Sequence, residues 1–204
     1  MRRWPLELMD WKRAVLALYA AARAAGSDPA AVEAFRRGRD ELFARHPESP
    51  LTANARAGFA GLSYFPHDPG LRVEAPLEPD EEGAELVIPT STGEPTRFRR
   101  VGVVRPELPG GRVSLAVYWL EGYGGGMFLP FRDALAGRGT YGGGRYLLDT
   151  VKGADLGAAA DGSLVLDFNY AYNPSCAYDP RWSCPLAPLE NRLDVPIEAG
   201  ERHE

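Results

Sequence analysis

The chain has 204 residues, of which 45% are apolar and 25% are charged, so it is long enough to bury a core without a metal or a disulfide. Its formal net charge is −5 at pH 7, and its basic residues form no continuous stripe, which excludes the electrostatic footprint of a nucleic-acid-binding protein. No segment approaches the roughly 20 apolar residues that span a bilayer, so the sequence predicts a cytoplasmic protein with no membrane partner.

Two amphipathic helices are predicted at the N-terminus. The first ends at Gly26, and its apolar residues recur at helical spacing: Leu8, Trp11, Val15, Leu18 and Ala22. The second begins with Asp28 as N-cap and Pro29 as its first residue, and it ends at His46-Pro47. Its apolar face comprises Val32, Phe35, Leu42 and Phe43. We expect the two helices to pack as a hairpin within an N-terminal helical region of residues 1–60.

The first helix leaves one alternative open, because the apolar run from Ala14 to Ala22 could imitate a secretory signal. Glu7 and Asp10 precede this run, and Lys12 lies beside it. The apolar residues are also spaced as on one face of a helix rather than in a continuous block. These features favour the cytoplasmic interpretation.

After about residue 60 the apolar pattern changes to a period of two, which is typical of strands. Thr52 is predicted to cap one more short helix before this change. The candidate strands are residues 71–77, 85–89, 97–104, 112–120, 145–151, 163–169 and 193–198. Residues 97–104 are expected to pair with 112–120 through a hairpin at Pro109-Gly110-Gly111. The fold class is therefore α+β and mainly β, with an antiparallel β-barrel or sandwich over residues 61–204.

Residues 169–193 form a long segment with neither helical nor strand periodicity. Its aromatic and proline content predicts an ordered loop folded over one end of the barrel. Cys176 and Cys184 lie within it and are expected to be close together, either as two buried thiols or as a disulfide. No metal site is predicted, because no histidine lies near these cysteines.

The most distinctive blocks of the sequence resemble the domain-of-unknown-function 1684 family of bacteria and archaea. They are Phe128-Leu-Pro-Phe-Arg-Asp133, Thr140-Tyr-Gly-Gly-Gly-Arg-Tyr-Leu147, Asp167-Phe-Asn169, Asn191-Arg-Leu193, His46-Pro47-Glu-Ser-Pro-Leu51 and Gly61-Leu-Ser-Tyr-Phe65. Such blocks in a fixed order extend the resemblance over nearly the whole chain. The resemblance implies no activity, substrate or cofactor.

An anion-binding site is predicted from Arg132, Asp133, Tyr141 and Arg145, which lie beside glycine turns. Guanidinium groups bind carboxylates and phosphates in a bidentate manner, and exposed backbone N–H groups add donors. The alternative is structural, with an Arg–Asp pair that fixes the connection between two strands.

Asp167 and Asn169 are predicted on the strand face opposite Leu166 and Phe168. On the inner face of a small barrel they would orient a ligand, whereas the alternative is that they anchor the following loop. The leading functional hypothesis is a domain that binds a small, possibly anionic molecule in one pocket. The predicted lining is Tyr118, Arg132, Asp133, Tyr141, Arg145, Asp167 and Asn169.

Two other functions remain open at this stage. One is a hydrolase-type enzyme that uses Asp133 or Asp167 together with Arg132 or Arg145. The other is an interaction protein that presents the helical hairpin to a partner. Convergence of the arginines and aspartates in one pocket would favour ligand binding or catalysis, and an exposed apolar stripe on the helices would favour an interaction surface.

Overall fold

The computed structural model describes residues 4–80, 83–93 and 95–203. Helix α1 spans Trp4–Ala25, α2 spans Pro29–Arg45 and α3 spans Ala53–Ala57. The predicted caps are present: an Asp28 side-chain oxygen accepts a hydrogen bond from the Ala30 N–H at 2.9 Å, and Thr52 Oγ1 accepts one from the Ala55 N–H at 3.1 Å. The predicted N-terminal helical pair is confirmed. None of the helices in the described part of the chain is long and apolar enough to cross a bilayer.

The helical hairpin packs through an aromatic cluster centred on Tyr19. The Tyr19 and Phe35 rings meet edge to face with centroids 4.9 Å apart, and Phe35 meets Tyr170 of the β-rich part at 4.8 Å. Phe35 and Phe43 are buried as expected. On the predicted stripe of α1, Ala22 is buried beside Tyr19, whereas Trp11, Val15 and Leu18 are only half-buried.

Ten short strands follow the helices in the described residues. They are β1 Arg72–Ala75, β2 Glu78–Pro79, β3 Glu85–Pro89, β4 Pro95–Val104, β5 Glu107–Leu108, β6 Gly111–Arg112, β7 Leu115–Leu120, β8 Gly126–Phe131, β9 Arg145–Asp149 and β10 Leu164–Asp167. The expected pairing of β4 with β7 is confirmed, and it includes a bulge between Arg100 and Gly102. The short β5–β6 hairpin lies in the connection between them.

The main sheet is antiparallel, with strand order β2–β4–β7–β8–β9 and with β3 beside β4. Strands β1 and β10 form a separate two-stranded ladder. The predicted antiparallel β structure is confirmed. The described strands form no closed barrel, so the prediction of a barrel or sandwich is not confirmed.

The main sheet is covered on both faces, as β7 illustrates. Its alternate residues enter different cores: Leu115 and Val117 pack with β1, β10 and the C-terminal segment, whereas Ala116 and Tyr118 pack with the helical hairpin. Candidate site residues on this sheet are therefore enclosed from both sides.

Two strand predictions need correction. Residues 193–198 do not form a strand. They contact residues 132–134 through single hydrogen bonds, such as the one from the Ala134 N–H to the Val195 carbonyl at 3.1 Å. Strand β8 was not predicted, since glycines precede it and Pro130 interrupts it where the register against β9 shifts.

Candidate functional site

Asp133 and Arg145 meet in a fully buried ion pair. Arg145 Nη2 donates to Asp133 Oδ2 at 2.9 Å, and both side chains are 1% exposed. The other Asp133 oxygen accepts a hydrogen bond from Thr140 Oγ1 at 2.6 Å. Arg145 also donates to the carbonyls of Ile197 at 2.8 Å, of Glu201 at 3.0 Å and of Ala199. These contacts hold the C-terminal segment against the Arg145–Asp133 pair. They agree with the structural role that the sequence analysis gave as the alternative to anion binding.

The burial of Arg145 has an electrostatic consequence. Desolvation lowers the pKa of Arg145 to about 10, although Asp133 opposes this by stabilising the charged form. The guanidinium is therefore charged at neutral pH. Its charge is directed at Asp133 and the C-terminal carbonyls rather than at an open pocket.

Asp167 and Asn169 form a second set of anchors. Asn169 exchanges two hydrogen bonds with the Asp68 backbone, at 2.9 and 2.8 Å, and also donates to Asp167 Oδ1. Asp167 Oδ2 accepts from Arg72 Nη1 at 3.2 Å. These residues tie the turn before β1 to the end of β10.

The three remaining predicted residues lie in separate surroundings. Arg132 is exposed and lines a cavity of about 500 Å³. Tyr118 is buried, and its hydroxyl donates to Glu190 Oε1 at 2.7 Å. The Tyr141 hydroxyl lies 3.6 Å from Cys176 Sγ. The structure brings Asp133 together with Arg145 and Asp167 together with Asn169, but it does not bring Arg132, Arg145 and Asp167 into contact.

A different cleft lies between α1 and the long loop, and sequence reasoning missed it. We call it the lysine cleft. It has a volume of about 200 Å³ and is lined by Leu8, Trp11, Lys12, Glu48, Pro50, Lys152, Ser175, Trp182, Ser183 and Cys184. Trp182 is positioned by a 3.1 Å hydrogen bond from its Nε1 to the Pro50 carbonyl, which joins the loop to the segment after α2.

The lysine cleft is lined by the two lysines of a chain whose other basic residues are arginines. Lys12 and Lys152 are the only lysines among its 23 basic residues, and both line this one cleft. Lys152 Nζ lies 3.8 Å from Asp149 Oδ2 and 5.6 Å from the centre of the Tyr146 ring. Glu48 contributes one carboxylate to the lining. The rarity of lysine was the only signal in the sequence that pointed to this place.

A smaller cavity, the inner chamber, shares lining residues with the cleft. Its volume is about 50 Å³, and Trp11, Pro50, Lys152 and Ser175 belong to both. The further lining is Val15, Tyr19, Arg39, Phe43, Ala154, Tyr172, Asn173 and Tyr178. A cavity of this volume is large enough to hold water-sized polar groups.

Two polar atoms of the chamber residues lack hydrogen-bond partners among the described residues: the Tyr19 hydroxyl and Asn173 Oδ1. Burial raises the pKa of Tyr19, so the phenol is neutral and keeps its proton to donate. Buried polar atoms are nearly always hydrogen-bonded in native proteins. Both residues line the chamber, and these two atoms are the polar groups of its lining residues for which the described part of the chain supplies no partner.

We expect Tyr19→Phe to leave the free energy of unfolding unchanged or to raise it by up to about 1 kcal/mol, because its hydroxyl has no protein partner. Tyr172→Phe is the matched control, since its hydroxyl donates to Asp149 Oδ2 at 3.2 Å. This control should lower the free energy of unfolding by about 1–2 kcal/mol. Urea denaturation of both variants measures the difference, and an equal loss in the two would show that the Tyr19 hydroxyl has a partner in the ligand-free protein.

Residues 57–202 match the model of a family described as a protein of unknown function, DUF1684. The chain belongs to this family. The match confirms the resemblance found in the sequence, although the block from His46 to Leu51 precedes the matched residues. The chain is also similar to an uncharacterised protein of Haloarcula marismortui with a solution NMR structure. The two share 36% identity and a TM-score of 0.60 over 83% of this chain and 91% of that one. None of the curated proteins matches the chain.

The DUF1684 signature blocks supply many of the buried polar anchors. Besides the Asp133–Arg145 pair, Asn191 is fully buried and exchanges hydrogen bonds with both Ala116 backbone groups, at 2.7 and 2.8 Å. It also donates to the Pro130 carbonyl at 2.7 Å. In this chain the signature residues connect loops to the sheet, and most of the lysine cleft lies outside the signature blocks. Among the described residues, no group of three or more His, Cys, Asp or Glu side chains is placed to hold a metal ion.

Proposed function

We propose that the protein binds a small anionic organic molecule in the lysine cleft. The observation that carries this proposal is that the only two lysines of a chain with net charge −5 line a single cleft. The lining holds two ammonium groups and one carboxylate, Glu48, and Asp149 lies 3.8 Å from Lys152 Nζ, so Lys12 is the ammonium group that forms no ion pair among the described residues. An anion is therefore attracted to it despite the overall negative charge.

The walls of the cleft support an organic ligand rather than a bare inorganic anion. Trp11 and Trp182 both line it, and aromatic side chains supply a large apolar contact area. The volume of about 200 Å³ is below the roughly 300–1,000 Å³ of pockets that hold drug-sized ligands. The ligand class that fits is a small carboxylate or phosphate with an apolar body.

The inner chamber supports a further feature of this ligand. The Tyr19 hydroxyl can donate a hydrogen bond and Asn173 Oδ1 can accept one, and neither has a partner in the part of the chain that the structure describes. A hydroxyl or amide group at the end of the ligand would satisfy both atoms. A ligand with an anionic group and a second, neutral polar group should therefore bind more tightly than one with the anionic group alone.

Benzoate and the neutral benzamide test the charge preference, since the two have nearly the same shape. We expect benzoate to bind more tightly, with its affinity reduced roughly tenfold or more by Lys152→Met or Lys12→Met, because hydrogen bonds to charged groups contribute about 1.5–3 kcal/mol. Isothermal titration calorimetry at low salt, with tryptophan fluorescence as a second readout, measures both affinities. Affinity should fall as salt is added, because part of the attraction is screened.

The matched control is Arg13→Met, which removes a cation next to Lys12 in sequence. Arg13 lies on the groove between α1 and α2 rather than on the lysine cleft. This variant should bind benzoate with an affinity within about twofold of that of the unmodified protein, as expected for a screened surface charge. Equal affinity for benzoate and benzamide, or equal losses in the Arg13 and Lys152 variants, would refute an anion site at the lysine cleft.

The alternatives from the sequence have less support. The carboxylates of the hydrolase hypothesis, Asp133 and Asp167, are buried and engaged by Arg145 and Arg72 at 2.9 and 3.2 Å. The interaction-surface hypothesis is favoured by exposed apolar residues on α1, namely Leu6, Met9 and Leu16. It therefore stays a prediction beside the proposed ligand site.

A further inference from the structure

The two cysteines lie together at the end of the long loop. The Cys176 N–H donates to Cys184 Sγ at 3.4 Å, and both thiols are free. The Tyr141 hydroxyl lies 3.6 Å from Cys176 Sγ, within reach for a hydrogen bond to sulfur. The loop therefore places two thiols and a phenol in one cluster, of which Cys184 also lines the lysine cleft.

The two sulfur atoms are not equivalent. Hydrogen bonds from the Cys184 thiol and from the Tyr141 hydroxyl, which outweigh the opposing effect of burial, lower the pKa of Cys176 to about 6. The pKa of Cys184 is raised, first by its hydrogen bond to Cys176 and then by burial. The two thiols titrate together, and the directions of the two pKa shifts favour the thiolate on Cys176 and the proton on Cys184.

Access also differs between the two cysteines. Cys176 is 8% exposed, compared with 2% for Cys184. Cys184 and Ser175, the residue before Cys176, both line the lysine cleft. The cleft therefore reaches the cluster at Cys184 and at the residue before Cys176, and Cys176 is the more exposed of the two cysteine residues.

We propose that Cys176 and Cys184 form a reactive dithiol that reduces small hydroperoxides and becomes a disulfide. Cys176 is the attacking sulfur and Cys184 is the resolving sulfur. The proposal does not depend on the ligand that the lysine cleft holds, and it assigns an activity to a cluster outside that proposed function.

The chemical steps balance as follows. The Cys176 thiolate attacks the terminal oxygen of the hydroperoxide, the O–O bond breaks, and the leaving alkoxide or hydroxide takes a proton from solvent. Cys176 is then a sulfenic acid. The Cys184 sulfur attacks Cys176, the S–O bond breaks, and the departing hydroxide takes the Cys184 proton to form water. Two thiols are oxidised to one disulfide while one hydroperoxide is reduced to an alcohol, or to water when the oxidant is hydrogen peroxide.

The experiment uses the full chain and hydrogen peroxide, followed by intact-mass and peptide mass spectrometry. The native chain should lose two hydrogen atoms and yield a Cys176–Cys184 disulfide peptide. Cys184→Ser should accumulate a sulfenic acid on Cys176 that dimedone traps, whereas Cys176→Ser should stay largely reduced. Tyr141→Phe should slow the oxidation of Cys176, because it removes a hydrogen bond to the thiolate.

The pH dependence separates this proposal from ordinary thiol oxidation. Because Cys184→Ser replaces the thiol that donates to Cys176 by a hydroxyl, the pH profile is measured on the native chain by its initial rate of thiol loss. We expect the rate of thiol loss to be half-maximal near pH 6. At that pH it should exceed the rate for free cysteine on the order of tenfold, because the larger thiolate fraction outweighs the lower nucleophilicity of an acidic thiol.

Three results would overturn the proposal: a native rate no higher than that of free cysteine, equal labelling of both cysteines by iodoacetamide in the native chain, or disulfides only between chains. Iodoacetamide labelling needs no variant, so the test stands even if a substitution prevents folding. A negative result here leaves the benzoate affinity unchanged, and a failed benzoate test leaves the dithiol unaffected.

Discussion

Replacing Arg145 with methionine is expected to lower the free energy of unfolding by about 3–5 kcal/mol, the usual loss when one partner of a buried ion pair is removed. Arg145 and Asp133 are both 1% exposed in their side chains, so the Asp133 carboxylate would remain buried without its charge partner. The carbonyls of Ile197, Ala199 and Glu201 would also lose their donor. Urea denaturation followed by tryptophan fluorescence measures the loss.

The control for this prediction comes from the same signature blocks. Arg132 is exposed, so Arg132→Met should change the free energy of unfolding by no more than about 0.5 kcal/mol. The double variant Arg145→Met, Asp133→Leu should recover part of the loss, because apolar replacement of both partners of a buried pair is often nearly neutral. Equal stability of the two single variants would contradict the anchoring role.

The sequence predicted the elements whose residues repeat with a clear period. The cap at Asp28 and the alternation in β7 are local signals, and each produced the expected helix or strand. Strand β8 escaped prediction because it contains Pro130, which the sheet accommodates where the register against β9 shifts. Residues 193–198 alternate like a strand, yet Arg145 and the 132–134 segment take their backbone groups.

The candidate site was less predictable for a related reason. Arg145 stood out as a polar residue on a packed strand, but its acceptors besides Asp133 are main-chain carbonyls more than 50 residues away. Any residue type can supply a carbonyl. The lysine cleft is assembled from α1, the segment after α2, the turn after β9 and the long loop. No local spacing links four such segments, so only the tertiary fold brings Lys12 and Lys152 to one cleft.

Replacing Glu201 with glutamine is the second change from which we expect a large effect, again a loss of about 3–5 kcal/mol. Glu201 joins α2 to the C-terminal segment through Arg39, whose Nε donates to Glu201 Oε1 at 2.9 Å. The other carboxylate oxygen accepts from the Asn173 N–H at 2.8 Å and from the Tyr178 hydroxyl. The pair is closed to solvent, with the Arg39 and Glu201 side chains 7% and 1% exposed.

The charge on Glu201 is the property that the substitution removes, since glutamine keeps the shape. Burial, the largest single effect, lowers the pKa of Arg39, but Glu201 and the neighbouring tyrosines together raise it by more, so its net pKa lies well above the usual value. The glutamine variant leaves this guanidinium buried without a counter-charge. Because Arg39, Asn173 and Tyr178 also line the inner chamber, the variant should loosen the chamber along with the C-terminus.

Two measurements separate this expectation from a general surface effect. Urea denaturation gives the stability, and hydrogen exchange at residues 171–178 and 197–203 reports whether the chamber and the C-terminal segment open together. Glu198→Gln is the matched control, since Glu198 is an exposed acid on the same segment and should change stability by no more than about 0.5 kcal/mol. Faster exchange confined to the C-terminal segment, with the chamber residues still protected, would show that the Arg39–Glu201 pair stabilises only the C-terminal segment. Faster exchange in both places would instead mean that this one ion pair couples the helical hairpin, the C-terminal segment and the inner chamber of the proposed ligand site.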